Sequence, residues 1–181
     1  MKAVFLDRDG VINKYPGDKK YVTSLREFRF LPKAKEGIAK LYKNNYKLFV
    51  ASNQAGVGKG LYSRKALEEI TKNMLSEVQR AGGDIEEVYY CTHRKEENCS
   101  CRKPKSGLIE QAVKKYPINL KKTFFVGDTI RDVNTARAAG CKSILVLSGK
   151  EKLKNSENWQ AKPDFVFKNL LEAAKFILKQ G

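Results

Sequence analysis

Residues 2–10 read KAVFLDRDG, an apolar run that ends on two aspartates one residue apart and closes on a glycine. A continuous apolar run with no polar face fits a strand buried on both sides, as in a parallel sheet covered by helices. Past the end of such a strand, residues two apart share a side, so Asp7 and Asp9 face together while Arg8 points away. One carboxylate of such a pair can attack while the other handles protons. Asp and Gly also favour turns, so the pair taken alone is open to a purely structural reading.

The same pattern recurs outward from this stretch. KLFVAS at 47–52, EVYYC at 87–91, TFFVGD at 123–128 and SILVLS at 143–148 are further short apolar runs, and DFVF at 164–167 is a last one. Between them lie helical spacings: Ala34, Ile38, Leu41 and Tyr42 after Pro32; Leu67, Ile70, Met74 and Val78 after Ser63; Leu108, Ile109, Ala112 and Val113 after Ser106. Pro32 suits a first helical turn, Ser63 and Ser106 suit N-caps, and Gly140 suits the end of a helix over 131–139. LLEAAKFIL at 170–178 supplies a final helix. Strands alternating with helices predict an α/β fold, a single doubly wound, Rossmann-like parallel sheet. Ligands of such sheets bind beyond the carboxyl ends of the strands, near the switch in strand order. Asp7, Ser52, Asn53, Cys91 and Asp128 all fall at or just past the ends of apolar runs, so four strand ends aim polar groups at one rim. Residues 10–31 are too long for a plain link and contain Pro16-Gly17, which predicts a flap or hairpin beside that rim. The 149–163 stretch is polar and rich in Lys.

At 181 residues the chain has room for one domain, 1–181, and none for a large cap domain. A hydrophobic share of 41% excludes wholesale disorder. No run is long enough for a membrane span and the N-terminus carries no signal-peptide pattern, so a cytoplasmic protein that does not engage a membrane is expected. The net charge is +16, but 27 of the 36 basic residues are Lys, scattered along the chain, without the clustered Arg and aromatics of a nucleic-acid footprint. A solvated Lys coat and a phosphorylated small-molecule partner are favoured over nucleic acid, and a monomer is expected.

Four of the seven Asp residues sit in two short motifs, DRDGV with Asp7 and Asp9 and GDTIRD with Asp128 and Asp132. Cys91, His93, Cys99 and Cys101 gather three thiols and the chain's one imidazole within a single loop, 91–101. Cys3His is a closed tetrahedral zinc set. A Cys91–Cys99 disulfide is the competing reading, disfavoured by His93 and by a reducing compartment. Cys141 is left as a buried thiol. AGVGKG at 55–60 looks like part of a phosphate loop, but Asn53 stands where a Gly is required and Gly60 where Ser or Thr should follow. Lys59 within it faces either substrate or solvent.

In order, DRDGV, the strand-end Ser52, the Lys103 of CRKPKSG and GDTIRD resemble the four motifs of the haloacid dehalogenase superfamily of aspartate-nucleophile phosphatases. The resemblance implies that Asp7 is the nucleophile, Asp9 the general acid and base, and Lys103 the neutralising cation. It implies that Ser52 and the Asn53 amide bind phosphoryl oxygens, that Mg2+ is held by Asp7, Asp128 and the Asp9 carbonyl, and that Asp132 supports the site. The alternative for Asp132 is a helix N-terminal charge near Arg131. The zinc loop, the small size and SNQAGVGKG-LYS are similar to the branch that holds the sugar-bisphosphate and histidinol-phosphate phosphatases. The x5 spacing between His93 and Cys99 lies closer to the histidinol type. A bisphosphate substrate would give Arg102, Lys59 and the 10–31 flap a second phosphate to bind. A polynucleotide 3′-phosphatase and a non-enzymatic, zinc-stabilised binding module remain as further readings.

Overall fold

The computed structural model describes residues 1–180 and contains one six-stranded sheet, all of whose pairings are parallel. Strands β1 (Ala3–Leu6), β2 (Lys47–Asn53), β3 (Glu87–Cys91), β4 (Phe124–Gly127), β5 (Lys142–Val146) and β6 (Phe165–Phe167) lie in the order β3-β2-β1-β4-β5-β6. The chain winds outward from β1 to β3, returns to the other side of β1 and winds out again to β6. The strand order therefore switches between β1 and β4, and Asp7 and Asp128 follow those two strands. The Asp7 amide donates to the Val126 carbonyl at 2.9 Å, which ties the two strand ends together.

Alternating side chains of the central strands feed two cores. Val4, Leu6, Leu48, Val50 and Val126 pack under helices α1 (Ala34–Tyr42), α2 (Arg64–Arg80) and α5 (Leu170–Leu178), through residues such as Ile38, Ile70, Met74 and Ile177. On the opposite face Ala3, Phe5, Phe49 and Phe125 meet Leu108, Ile109 and Ala112 of α3 (Gly107–Lys115) and Ala136 of α4 (Ile130–Ala139). The three central phenylalanines stack in a row, with centroids 5.3 and 6.4 Å apart. No helix among the described residues is long and apolar enough to cross a membrane.

Local expectations hold except where context overrides them. Ser63 caps α2, its hydroxyl accepting from the Ala66 amide at 3.0 Å, and Gly140 ends α4 at φ 78°. Ser106 stands at the start of α3 but does not cap it, because its hydroxyl donates to Glu110 instead. Pro32 lies in a turn before α1 and not in its first turn, because Lys33, at φ 67°, takes the N-cap position that a first-turn proline would have followed. The runs at 87–91 and 165–167 are strands but only half-buried, because β3 and β6 are the sheet's edges. Residues 10–31 do form a flap. Its neck is a short antiparallel pairing in which Lys14 N–H donates to Arg29 O and Leu31 N–H to Ile12 O, and its tip carries Tyr15 to Tyr21.

Candidate active site

The strand ends open into a cavity of about 580 Å³, with Asp7, Ser52, Lys103, Asp128 and Asp132 among its lining residues and the flap tip forming one wall. Asp7 is the first residue after β1, and its backbone turns at once into the Asp9–Asn13 loop. Gly10, at φ +86°, makes that turn possible, and a Cβ there would overlap the Asp128 carboxylate, so the glycine lets two acidic strand ends approach. Asp128 accepts from the Lys150 amide at 2.7 Å.

Lys103 is buried and bridges two of the acids, its ammonium 2.8 Å from Asp7 and 2.6 Å from Asp132. Burial opposes its charge, but Asp132 and Asp7 more than offset this and its pKa rises. Burial raises the Asp7 carboxyl above the ordinary carboxylate value, and Asp132 adds to this; Lys103 and the Ser52 hydroxyl pull the other way. Asp128 lies well above that value, because it is buried and faces Asp132 and Asp7. Three converging carboxylates thus share one ammonium, a shortage of positive charge that suits a hard divalent cation. Asp7, Asp128 and Asp132 each offer an oxygen within 4.8 Å of the others. Asp132 meets both readings made of it: as the third residue of α4 it closes a capping box with Thr129, and its other oxygen holds Lys103.

Lys103 reaches the cavity from the loop after β3. Asn53 clamps that loop, its side-chain oxygen accepting from Lys103 N–H at 3.0 Å and its amide donating to Lys103 O at 3.1 Å, a role for Asn53 that the sequence does not announce. Cys91, His93, Cys99 and Cys101 converge in the same loop, with all four ligand atoms within 4.8 Å of one another. The approaches of 3.7 Å for Cys91–His93, 3.6 Å for Cys91–Cys99 and 3.5 Å for Cys99–Cys101 match the roughly 3.5–3.8 Å edges of a tetrahedron with zinc-type bond lengths, and His93–Cys101 is tighter at 3.2 Å. All four cysteines of the chain are free thiols, which removes the disulfide reading. Cys141 is buried among apolar neighbours, and burial pushes its thiol up to about 12.

Arg102 lines the cavity, with one guanidinium nitrogen on the His93 carbonyl at 3.2 Å. Lys59 does not line it: its ammonium sits over the ring of Tyr21, 5.6 Å from the centroid. Lys19 and Lys20 of the 10–31 flap do face the cavity, and so do Arg131 and Lys150, to which the sequence gives no phosphate-binding role. Lys150 also pairs with Asp18 at 2.6 Å, tying the flap tip to the loop after β5. Asp7, Asp128 and Asp132 thus gather around Lys103, and Lys19, Lys20, Arg102, Arg131 and Lys150 outnumber Asp9, Asp18 and Glu151 in the rest of the lining, a cationic excess that suits a phosphate ester.

Carboxylates at the switch point of a doubly wound sheet, with a lysine delivered between them, define a hydrolase of the haloacid dehalogenase type, and a family model described as HAD-hydrolase-like matches residues 100–173. More narrowly, the chain belongs to the family of the D-glycero-D-manno-heptose-1,7-bisphosphate 7-phosphatases. It is 36% identical over 183 residues to the beta-type enzyme of Neisseria meningitidis serogroup A, covering 100% of this chain and 97% of that protein. It is 38% identical to the beta-type enzyme of Helicobacter pylori strain 26695, over 91% of this chain and 93% of that one. The crystal structure of the D,D-heptose 1,7-bisphosphate phosphatase of B. bronchiseptica, complexed with magnesium and phosphate, superposes with a TM-score of 0.92 at 31% identity, covering 100% of both chains.

Proposed function

We propose that this chain hydrolyses the 7-phosphate of D-glycero-D-manno-heptose 1,7-bisphosphate, with Asp7 as nucleophile. The observation that carries the reading is the buried convergence of Asp7, Asp128 and Asp132 around Lys103 in a cavity with a cationic excess in the rest of its lining. Full-length similarity to heptose bisphosphate phosphatases supports the substrate.

An Asp7 oxygen attacks phosphorus, and the bond from phosphorus to the sugar oxygen breaks. The Asp9 carboxyl gives its proton to that leaving oxygen. Water then attacks the aspartyl phosphate while Asp9, now a carboxylate, takes a proton from it; the Asp7–phosphorus bond breaks and phosphate leaves. Lys103 and the Ser52 hydroxyl balance charge on the transferred group, with the Asn53 backbone N–H as a further donor. Asp7, Asp128 and the Asp9 carbonyl would hold Mg2+, which supplies Lewis-acid charge neutralisation between two anions. Asp132 holds Lys103 between them. Cys91, His93, Cys99 and Cys101 would hold zinc in a closed structural site that fixes the loop bearing Arg102 and Lys103. The phosphate left on the sugar would meet Arg102 and the flap cations Lys19 and Lys20, with Lys59 able to join only by leaving Tyr21. We read the chain as one cytoplasmic, monomeric domain with its zinc loop at 91–101.

Steady-state kinetics test the substrate. The heptose bisphosphate should show the higher kcat/KM, and a higher value for histidinol phosphate would reject it. The relatives include both alpha- and beta-named enzymes, so the two anomers should be compared in the same assay.

A further inference from the structure

The Asp9 carboxylate receives five hydrogen bonds, every one from a donor. Arg8 Nε at 3.2 Å, Arg8 Nη2 at 3.0 Å and Asn13 Nδ2 at 2.8 Å meet Oδ1; Arg8 Nη2 at 3.2 Å and Gln54 Nε2 at 2.9 Å meet Oδ2. The expectation that Arg8 points away from the acid pair fails: two residues past β1, its guanidinium lies against Asp9 and pairs with it at 3.0 Å. Arg8 is among the largest fully buried side chains, with Tyr90 5.8 Å from its guanidinium carbon, and its Nη1 has no partner. A buried cation stabilises a core less well than an apolar side chain of similar volume. The hydrogen bonds of the Arg8 guanidinium go only to Asp9 and Gln54, so the charge is placed for those groups.

Gln54 is fixed in turn. Its Oε1 accepts from Arg8 Nη2 at 3.1 Å and from the Tyr62 hydroxyl at 2.6 Å, so flipping the amide would lose both bonds and turn a carbonyl toward Asp9. The glycine-rich 55–60 stretch has its use here. Gly58 N–H donates to Thr92 O, and a Cβ at Gly56 would overlap the Tyr62 ring, so the turn folds tightly enough to return Tyr62 to Gln54.

We propose that Arg8, Gln54 and Tyr62 are positioning residues that lock the Asp9 carboxyl in the orientation from which it protonates the leaving oxygen, giving the enzyme its capacity to expel an unactivated alkoxide. This rests on the reading of Asp9 as proton donor. A sugar alkoxide needs that proton as it leaves, whereas p-nitrophenolate does not, and kcat/KM covers the steps up to cleavage of the bond to the leaving oxygen.

The test compares kcat/KM for the heptose bisphosphate and for p-nitrophenyl phosphate in the wild type, Arg8→Met, Arg8→Lys, Tyr62→Phe and Asp9→Asn. Arg8→Met should lower the sugar-phosphate value on the order of 10²-fold, with a loss on the aryl phosphate about tenfold smaller. Arg8→Lys should recover part of the difference. Tyr62→Phe removes one hydroxyl and preserves the packing, so it guards against a folding failure; it should show the same selectivity at roughly 3- to 10-fold. Equal losses on the two substrates, or no loss in either Arg8→Met or Tyr62→Phe, would overturn the proposal. If Asp9→Asn itself fails to discriminate between the leaving groups, the proton-donor reading falls and takes the proposal with it. A discriminating Asp9→Asn beside non-discriminating Arg8 and Tyr62 variants sinks the positioning roles alone.

Discussion

The two ligand clusters of this molecule are built in opposite ways. Asp7, Asp128 and Asp132 come from parts of the chain more than a hundred residues apart, and all three are buried. Cys91, His93, Cys99 and Cys101 come from one loop, in which His93 is exposed and Cys99 half-buried. The first cluster exists because the sheet exists: β1 and β4 are neighbours, and folding forces their acidic ends together at an electrostatic cost. The second has little packing of its own, and an ion would have to supply its order. Damage to the acids should therefore remove chemistry and leave the fold, whereas damage to the thiols should release a loop and reach the chemistry only through Lys103.

Asp7→Asn is the strongest way to break that contrast. Turnover should fall on the order of 10⁴-fold or more, as when a nucleophile is removed elsewhere. Thermal stability should hold or rise, because the change removes a charge that burial first, and Asp132 second, already disfavour in the folded state. Phosphate release and a melting curve on the same sample check both halves. Loss of structure with loss of activity would mean that the acids hold the fold. Lys103→Met comes next. It leaves Asp7 and Asp132 buried without their cation, so about 3–5 kcal/mol of stability should go, together with roughly 10²–10³-fold in kcat. Chemical denaturation with and without Mg2+ reads the first effect, and the ion should restore part of it.

The contrast also explains what the sequence could and could not disclose. Strand ends are legible because burial on both faces writes continuous apolar runs, so Asp7, Ser52 and Asp128 could be placed at one rim without coordinates. The Cys91, His93, Cys99 and Cys101 cluster is legible because its members are local in the chain. Contacts between loops leave no period to read. The Asn53 clamp on Lys103 joins residues fifty positions apart, and the cavity cations Lys19, Lys20 and Lys150 look like any other part of a Lys-rich surface. Lys59 stands out in the sequence by its glycine neighbours, yet its ammonium lies over the Tyr21 ring and not among the residues that line the cavity. Alternation predicts that Arg8 points away from the acid pair, and it fails there because a long side chain past the strand end is free to reach Asp9.

Removing the ion from the thiol cluster tests the other half of the contrast. A zinc-selective chelator, or Cys101→Ser, should speed hydrogen exchange across residues 91–105 while leaving β1, β2 and β4 protected. The kcat/KM should fall about 10–100-fold as Lys103 loses its support. Elemental analysis of the untreated protein should find one zinc per chain. Exchange that rises throughout the sheet would show that the loop and the acid cluster form one cooperative unit.

The smallest effect separates a carboxylate placed for chemistry from one placed for structure. Asp164, at the entry to β6, accepts from the Ser143 amide at 2.7 Å and hydroxyl at 2.6 Å. Partial burial works against its charge, but the Ser143 bonds prevail and its pKa is lowered. Its ionised form thus stabilises the fold above the unfolded value near 3.8, and that contribution is lost as pH falls through the lower folded-state pKa. Asp128 has the reverse sign. Its raised pKa makes the ion-free fold lose stability as pH climbs from 3.8 toward the folded value. Asp164→Asn should cost about 1 kcal/mol at neutral pH, because the site is partly exposed, and should flatten the acid limb of the stability curve. Asp128→Asn should instead stabilise the ion-free protein at neutral pH and abolish the gain that Mg2+ brings. Urea denaturation across pH 3–8 without metal reads both slopes, and slopes of the same sign would mean that the acid cluster is an ordinary structural network.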